Sequence, residues 1–177
     1  MTMHRASGGQ SAKIFTQITF AACLFLLLPV RCLADVLTGR VVGVTDGDTV
    51  VLVDNSRISH KIRLAGIDAP EKGQPFSARS KENLVGMIFG KQVSVEFSKH
   101  DKYGRVIGKV VLDGADVNLM QIKEGLAWHY KKYEKEQSPS DRETYASAEQ
   151  IARTQRRGLW ADKAPVPPWE FRRKKKN

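Results

Sequence analysis

Cysteine is almost absent from this chain. Of 177 residues only Cys23 and Cys32 carry a thiol, and both lie among the first thirty-four. The segment from Asp35 onward therefore has no disulfide framework and no thiolate ligand for zinc, and must rest on its own core or on a bound metal. Long hydrophobic runs are missing too. The apolar stretch Ile18 to Val30 has thirteen residues, short of the roughly 20 a membrane-spanning helix needs. Acids are the minority, with 19 Asp and Glu against 29 Lys and Arg and a net charge of +10. There is no internal repeat. With 41% hydrophobic and 27% charged residues, the composition is that of one globular domain able to bury a core.

The N-terminus differs in kind from the rest. Arg5 and Lys13 precede the apolar stretch, and Cys32-Leu33-Ala34 places small residues at the last and third-last positions before Asp35. That pattern predicts a signal peptide over 1–34, cleaved after Ala34, and hence a periplasmic or secreted protein with no membrane anchor after cleavage. Cleavage lowers the net charge to +7, because Arg5, Lys13 and Arg31 leave and no acid does. A basic exported domain suits a polyanionic partner. After Asp162 the composition shifts to Pro165, Pro167 and Pro168 and then to Arg172-Arg173-Lys174-Lys175-Lys176, which predicts an extended, solvated tail over 163–177.

Strands come first in the mature chain. Val36 to Val44 is rich in β-branched residues, Asp46-Gly47 signals a turn, and Thr49 to Val53 resumes the apolar pattern; two paired strands result. A third, Ile58 to Ile67, ends where Pro70 bars the ladder. Ser77 to Phe89 reads as a helix stopped by Gly90, followed by a hairpin of Val93–Phe97 and Val106–Leu112 around the loop Asp101 to Arg105. Asp116 caps a short helix through Glu124, and a longer helix runs from Pro139 to Arg157. Leu159 and Trp160 are expected to dock on the core, and Trp128 to pack there. Five strands with about three helices fit an α+β domain built on a five-stranded barrel of the OB type over 35–162.

Three charged clusters lie on the turns of this frame: Thr45-Asp46-Gly47-Asp48-Thr49, Ile62-Arg63-Leu64 leading to Asp68-Ala69-Pro70-Glu71, and Asp101-Lys102-Tyr103-Gly104-Arg105. Asp48 and Asp68 offer hard oxygen ligands for a calcium-type cation, Arg63 and Arg105 offer planar forks for a phosphate, and Glu71 remains as a base. Phosphodiester hydrolysis needs that division of labour, since an already anionic centre gains charge in the transition state. Taken singly, the clusters read as a hairpin turn, a strand terminator and a solvated loop. An EF-hand is excluded, because counting from Asp46 puts Val50 at the fifth position and Arg57 at the twelfth.

In order and spacing these clusters, with Gly125-Leu126-Ala127 and Gly158-Leu159-Trp160, make residues Val36 to Asp162 resemble the staphylococcal-type nuclease (thermonuclease) family. The resemblance implies a calcium-dependent OB-fold nuclease that cuts DNA and RNA with little sequence preference, leaves 3′-phosphate ends, uses one calcium ion and works as a monomer without a stable protein partner. It implies metal ligation by the Asp48 and Asp68 carboxylates and the Ala69 carbonyl, catalytic roles for Arg63, Glu71 and Arg105, and substrate contacts from Lys102 and Tyr103. Base stacking falls to Tyr130 or Tyr133, with Tyr133 preferred. His129, lacking a matched partner, is expected at the surface. A nucleic-acid-binding OB module without catalysis is the competing class; it has no use for acids beside an anionic ligand.

Overall fold

The computed structural model describes residues 1–2 and 35–175, and the chain from Asp35 forms one compact unit. The signal-peptide reading of 1–34 lies almost wholly outside the described residues. Strands β1 (Asp35–Asp46), β2 (Thr49–Asp54) and β3 (Ser59–Leu64) form an antiparallel meander, and β1 also pairs with β5 (Gln92–His100), which pairs with β6 (Val106–Leu112). The parallel pairing of β3 with β6 closes the five strands into a mixed barrel of the OB type, and the short β7 (Ala115–Asp116) pairs antiparallel with β6. β1 serves both sides because it is twice the length of β2, and its irregular register at Val41/Gly43 and Val44/Asp46 bends the ladder where bulges add twist.

Alternation of side chains fills the barrel. Val50 and Leu52 of β2, Ile62 and Leu64 of β3, Val93 and Val95 of β5, and Val106 and Val110 of β6 are buried in a single core. Helix α1 (Ser77–Ile88) adds Leu84 and Ile88 four residues apart, and α2 (Val117–Lys123) adds Val117 and Ile122. The Asp116 carboxylate caps α2 by accepting from Leu119 N–H at 2.9 Å and also accepts the Tyr145 hydroxyl at 2.7 Å, tying α2 to α3 (Pro139–Thr154). A second cluster of Trp128, Ala152, Leu159 and Trp160 lies under α3, as expected for Trp128 and the Gly158-Leu159-Trp160 segment.

Three local readings need correction. The third strand is not continuous: Gly66, at φ +71°, breaks it into β3 and the two-residue β4 (Ile67–Asp68), which pairs with β8 (Trp128–His129). A left-handed turn there redirects Asp68 out of the main barrel ladder. His129 is buried at 1% exposure, its Nε2 2.8 Å from Gln137 Oε1 and its ring edge-on to Tyr145. The segment after Pro167 is not extended but forms a fourth helix, α4 (Pro168–Lys174), with Pro168 buried.

Candidate active site

The acidic cluster sits where three chain segments meet at one end of the barrel. Asp48 lies in the β1–β2 turn just before β2, Arg63 on β3 lies opposite Thr49, and Asp68 ends β4. Arg63 bridges the two acids, with Nη1 2.9 Å from Asp48 Oδ2 and Nη2 2.8 Å from Asp68 Oδ1. Its Nη1 also donates to the Ile67 carbonyl at 3.0 Å, so the fork is held at both ends. Asp48 Oδ2 accepts Ala69 N–H at 2.7 Å and Oδ1 accepts the Thr49 hydroxyl at 3.0 Å. Both carboxylates are buried, Asp48 at 5% and Asp68 at 1% exposure. Burial is the main cause that pushes the Asp48 carboxyl up to about 7; the Arg63 guanidinium opposes it, and the charges of Asp46 and Asp68 reinforce it.

A buried polar frame holds the turn in place. Gln121 of α2 donates to the Gly47 carbonyl at 2.7 Å and the Ser80 carbonyl at 3.0 Å, and its Oε1 accepts from Asn83 at 2.6 Å. Ser80 donates to the Leu126 carbonyl at 2.7 Å. Only glycine fits at position 47, because a Cβ there would overlap Ser80 Oγ and stand 2.8 Å from Ala69 Cβ. Asn118 clamps the β3–β4 break: its amide donates to the Ala65 and Gly108 carbonyls and its oxygen accepts from Val110 N–H. Sequence reasoning missed Ser80, Asn118 and Gln121, though polar residues on the otherwise apolar inward faces of helices are a readable signal.

Glu71 joins the cluster through a residue absent from the expected site. Arg172 of α4 places Nη1 2.5 Å from Glu71 Oε1 and 3.1 Å from Asp68 Oδ1, and Nη2 2.8 Å from Asp68 Oδ2. Glu71 N–H donates to Gln74 Oε1 at 2.8 Å. Arg105 is not part of this knot. Its Nε donates to Asp101 Oδ2 at 2.7 Å, in a loop that Asp101 closes by accepting from Tyr103 and Arg105 N–H groups. Slight burial works to raise the Asp101 carboxyl, but these bonds outweigh it and hold it below its ordinary range. Arg105 immediately precedes Val106, which pairs in parallel with Ile62, so it stands just before β6, the strand that runs alongside the β3 strand of Arg63.

Lys102 and Tyr103 lie on the same loop, Tyr103 exposed, with Lys102 and Arg105 both over its ring. Tyr133 is exposed in a 3-10 turn (Lys131–Glu136), flanked by Lys99 and Lys132 and edge-on to Tyr130, while Tyr130 stacks on Trp169 of α4. Among the described residues no three His, Cys, Asp or Glu side chains are grouped to hold a metal ion. Two buried carboxylates, both held by the Arg63 guanidinium and Asp68 by that of Arg172 as well, are nevertheless the hard oxygen donors that suit a cation, which would complete its shell with carbonyl, water and substrate oxygens.

The profile described as "Staphylococcal nuclease homologue" matches residues 61–162, more than half of the chain. The chain belongs to the staphylococcal nuclease family. It is 42% identical over 148 residues, 83% of this chain and 91% of the relative, to an Escherichia coli protein named "Uncharacterized endonuclease". It is 39% identical over 167 residues, 89% of this chain and 92% of the relative, to "Micrococcal nuclease" of Shigella flexneri. A Haemophilus influenzae "Uncharacterized endonuclease" is 36% identical over 159 residues, covering 90% and 85%. Within this staphylococcal nuclease domain the matched stretch includes Arg63, Asp68, Glu71 and Arg105; Asp48 precedes it and Arg172 follows it.

Proposed function

We propose that this protein is an exported, calcium-dependent nuclease that hydrolyses phosphodiester bonds of DNA and RNA with little sequence specificity. The observation that carries the reading is the convergence of Asp48, Asp68 and Glu71 on Arg63 and Arg172 at one end of an OB barrel. A binding module for an anionic ligand gains nothing from three carboxylates there, whereas a hydrolase uses them. Asp48, Asp68 and the Ala69 carbonyl would hold the ion, which when bound supplies positive charge to the phosphate oxygens and a weakly acidic water. Arg63, already oriented by Asp48, Asp68 and the Ile67 carbonyl, presents its fork to a non-bridging phosphate oxygen. Arg105, from the neighbouring loop, offsets charge near the leaving oxygen, and Glu71 orients or deprotonates the attacking water. Lys102 and Tyr103 contact a terminal phosphate and Tyr133 stacks on a base.

With only two carboxylate ligands, calcium binding is weak, about 10⁻⁴ to 10⁻³ M, and tightens when substrate phosphate adds oxygens. The protein acts as a monomer and leaves 3′-phosphate ends. The test incubates the purified mature protein with supercoiled plasmid and with structured RNA, in calcium or in excess chelator, followed by end-group analysis. Cleavage of both substrates in calcium alone is expected. Undiminished hydrolysis in chelator overturns the role given to Asp48 and Asp68.

A further inference from the structure

One contact in the acidic knot, the one Arg172 makes, has no role in the reading above. Its guanidinium takes both oxygens of Asp68 and one oxygen of Glu71, the atoms that a cation and an attacking water must use in the reading above. A carboxylate chelated side-on by a guanidinium has little lone-pair capacity left, and Asp68 Oδ1 is already shared with Arg63 at 2.8 Å. Other contacts share with this ion pair the seating of the helix that bears Arg172. Trp169 stacks on Tyr130 at 5.3 Å between ring centres and meets Trp128 edge-on at 5.6 Å. Gln74, whose oxygen holds Glu71 N–H, donates to the Val166 carbonyl at 3.1 Å. Trp128 is the strand partner of Asp68, so the aromatic seat and the acidic knot share one short ladder.

Resting on the nuclease reading, we propose that α4 is a latch: Arg172 closes the site in the metal-free protein, and a divalent cation opens it by taking the place of the guanidinium on Asp68. Charge favours the exchange. With all three acids ionised, Asp48, Asp68 and Glu71 against Arg63 and Arg172 leave one negative charge in a part-buried site; a divalent ion in place of Arg172 leaves none. The aromatic seat keeps α4 close to the domain, so the latch recloses at high effective concentration when the ion leaves. An exported basic nuclease thereby stays closed where calcium is scarce and opens where it is abundant.

The test uses the full mature chain with calcium alone as the probe. Calcium affinity by titration calorimetry and amide hydrogen exchange of residues 166–174 are measured for wild type, Arg172→Ala and Arg172→Gln; the glutamine variant keeps a polar side chain should the alanine variant fold poorly. If the wild-type latch is open about a tenth of the time, removing Arg172 tightens calcium binding about tenfold. Calcium should also speed exchange of α4 in wild type and leave the already faster exchange of the variants unchanged. Equal calcium affinity in wild type and variants, with reduced cleavage, overturns the latch and makes Arg172 a phosphate ligand. Calcium binding to wild type without faster exchange in α4 also overturns it. Absence of calcium binding in all three proteins overturns the metal reading itself, and the latch with it.

Discussion

Asp48→Asn in the metal-free protein should reveal the buried carboxylate as a pH-dependent burden on folding. The carboxyl is pushed from an ordinary 3.8 to about 7, chiefly by burial. Below pH 4 both folded and unfolded chains carry the proton, and the site costs nothing. Between about 4 and 7 the unfolded chain ionises freely while the folded one resists, so stability falls as pH rises; above about 7 the cost is complete. At 1.36 kcal/mol per unit this amounts to about 4 kcal/mol at pH 8, of which roughly half or more accrues between pH 5 and pH 8. Asparagine keeps the shape and an oxygen for Thr49 or Ala69, and has nothing to ionise. Urea unfolding in chelator at pH 5 and pH 8 isolates the effect to this acidic cluster, since groups away from it titrate alike in both proteins. The variant should gain roughly 2 to 3 kcal/mol on wild type across that window. Parallel curves for the two proteins would refute the assignment of a raised carboxyl at position 48.

Two further outcomes follow from the same geometry. Arg63→Ala and Arg105→Ala should each lower turnover roughly 10²-fold or more in steady-state assays while the domain stays folded by circular dichroism, and lysine should restore little because it lacks the planar fork. Wild-type turnover in either lysine variant would reject fork recognition of phosphate. Asn118→Ala strands Val110 N–H and the Ala65 and Gly108 carbonyls in the interior, and should cost about 3 kcal/mol in urea unfolding; a loss under 0.5 kcal/mol, about what a surface change gives, would contradict the clamp.

Most of the barrel was legible because its strands carry period-two burial and end at turn residues, as Val50 and Leu52 in β2 and Val93 and Val95 in β5 illustrate. Helix α1 was found within one residue of its end at Ile88. The β3–β4 break was not legible, since Gly66 interrupts an otherwise apolar run and only the pairing of β4 with β8 gives the second piece a partner. β8 itself is two residues long, too short for any period, and Gln137 and Tyr145, the partners that bury His129, come from segments the sequence does not tie to it. In the site, the grouping of Asp48, Arg63 and Asp68 was readable from motif spacing because all three sit at ends or edges of adjacent strands. Arg172 was not readable: in sequence it is the first of five basic residues after prolines, and only the docking of Trp169 on Tyr130 and Trp128 turns that charge inward.

The central claim is that Asp48, Asp68, Arg63 and Glu71 form one hydrolytic centre in which the two aspartates hold a cation and Glu71 acts on water. The most direct measurement fits cleavage rate against calcium concentration for wild type, Asp48→Asn and Glu71→Gln. Glu71→Gln should remain at least about 10²-fold slow at saturating calcium, while Asp48→Asn should need more calcium and partly recover. Full recovery of Glu71→Gln with added calcium, or rates of both variants indistinguishable from wild type throughout, would contradict it.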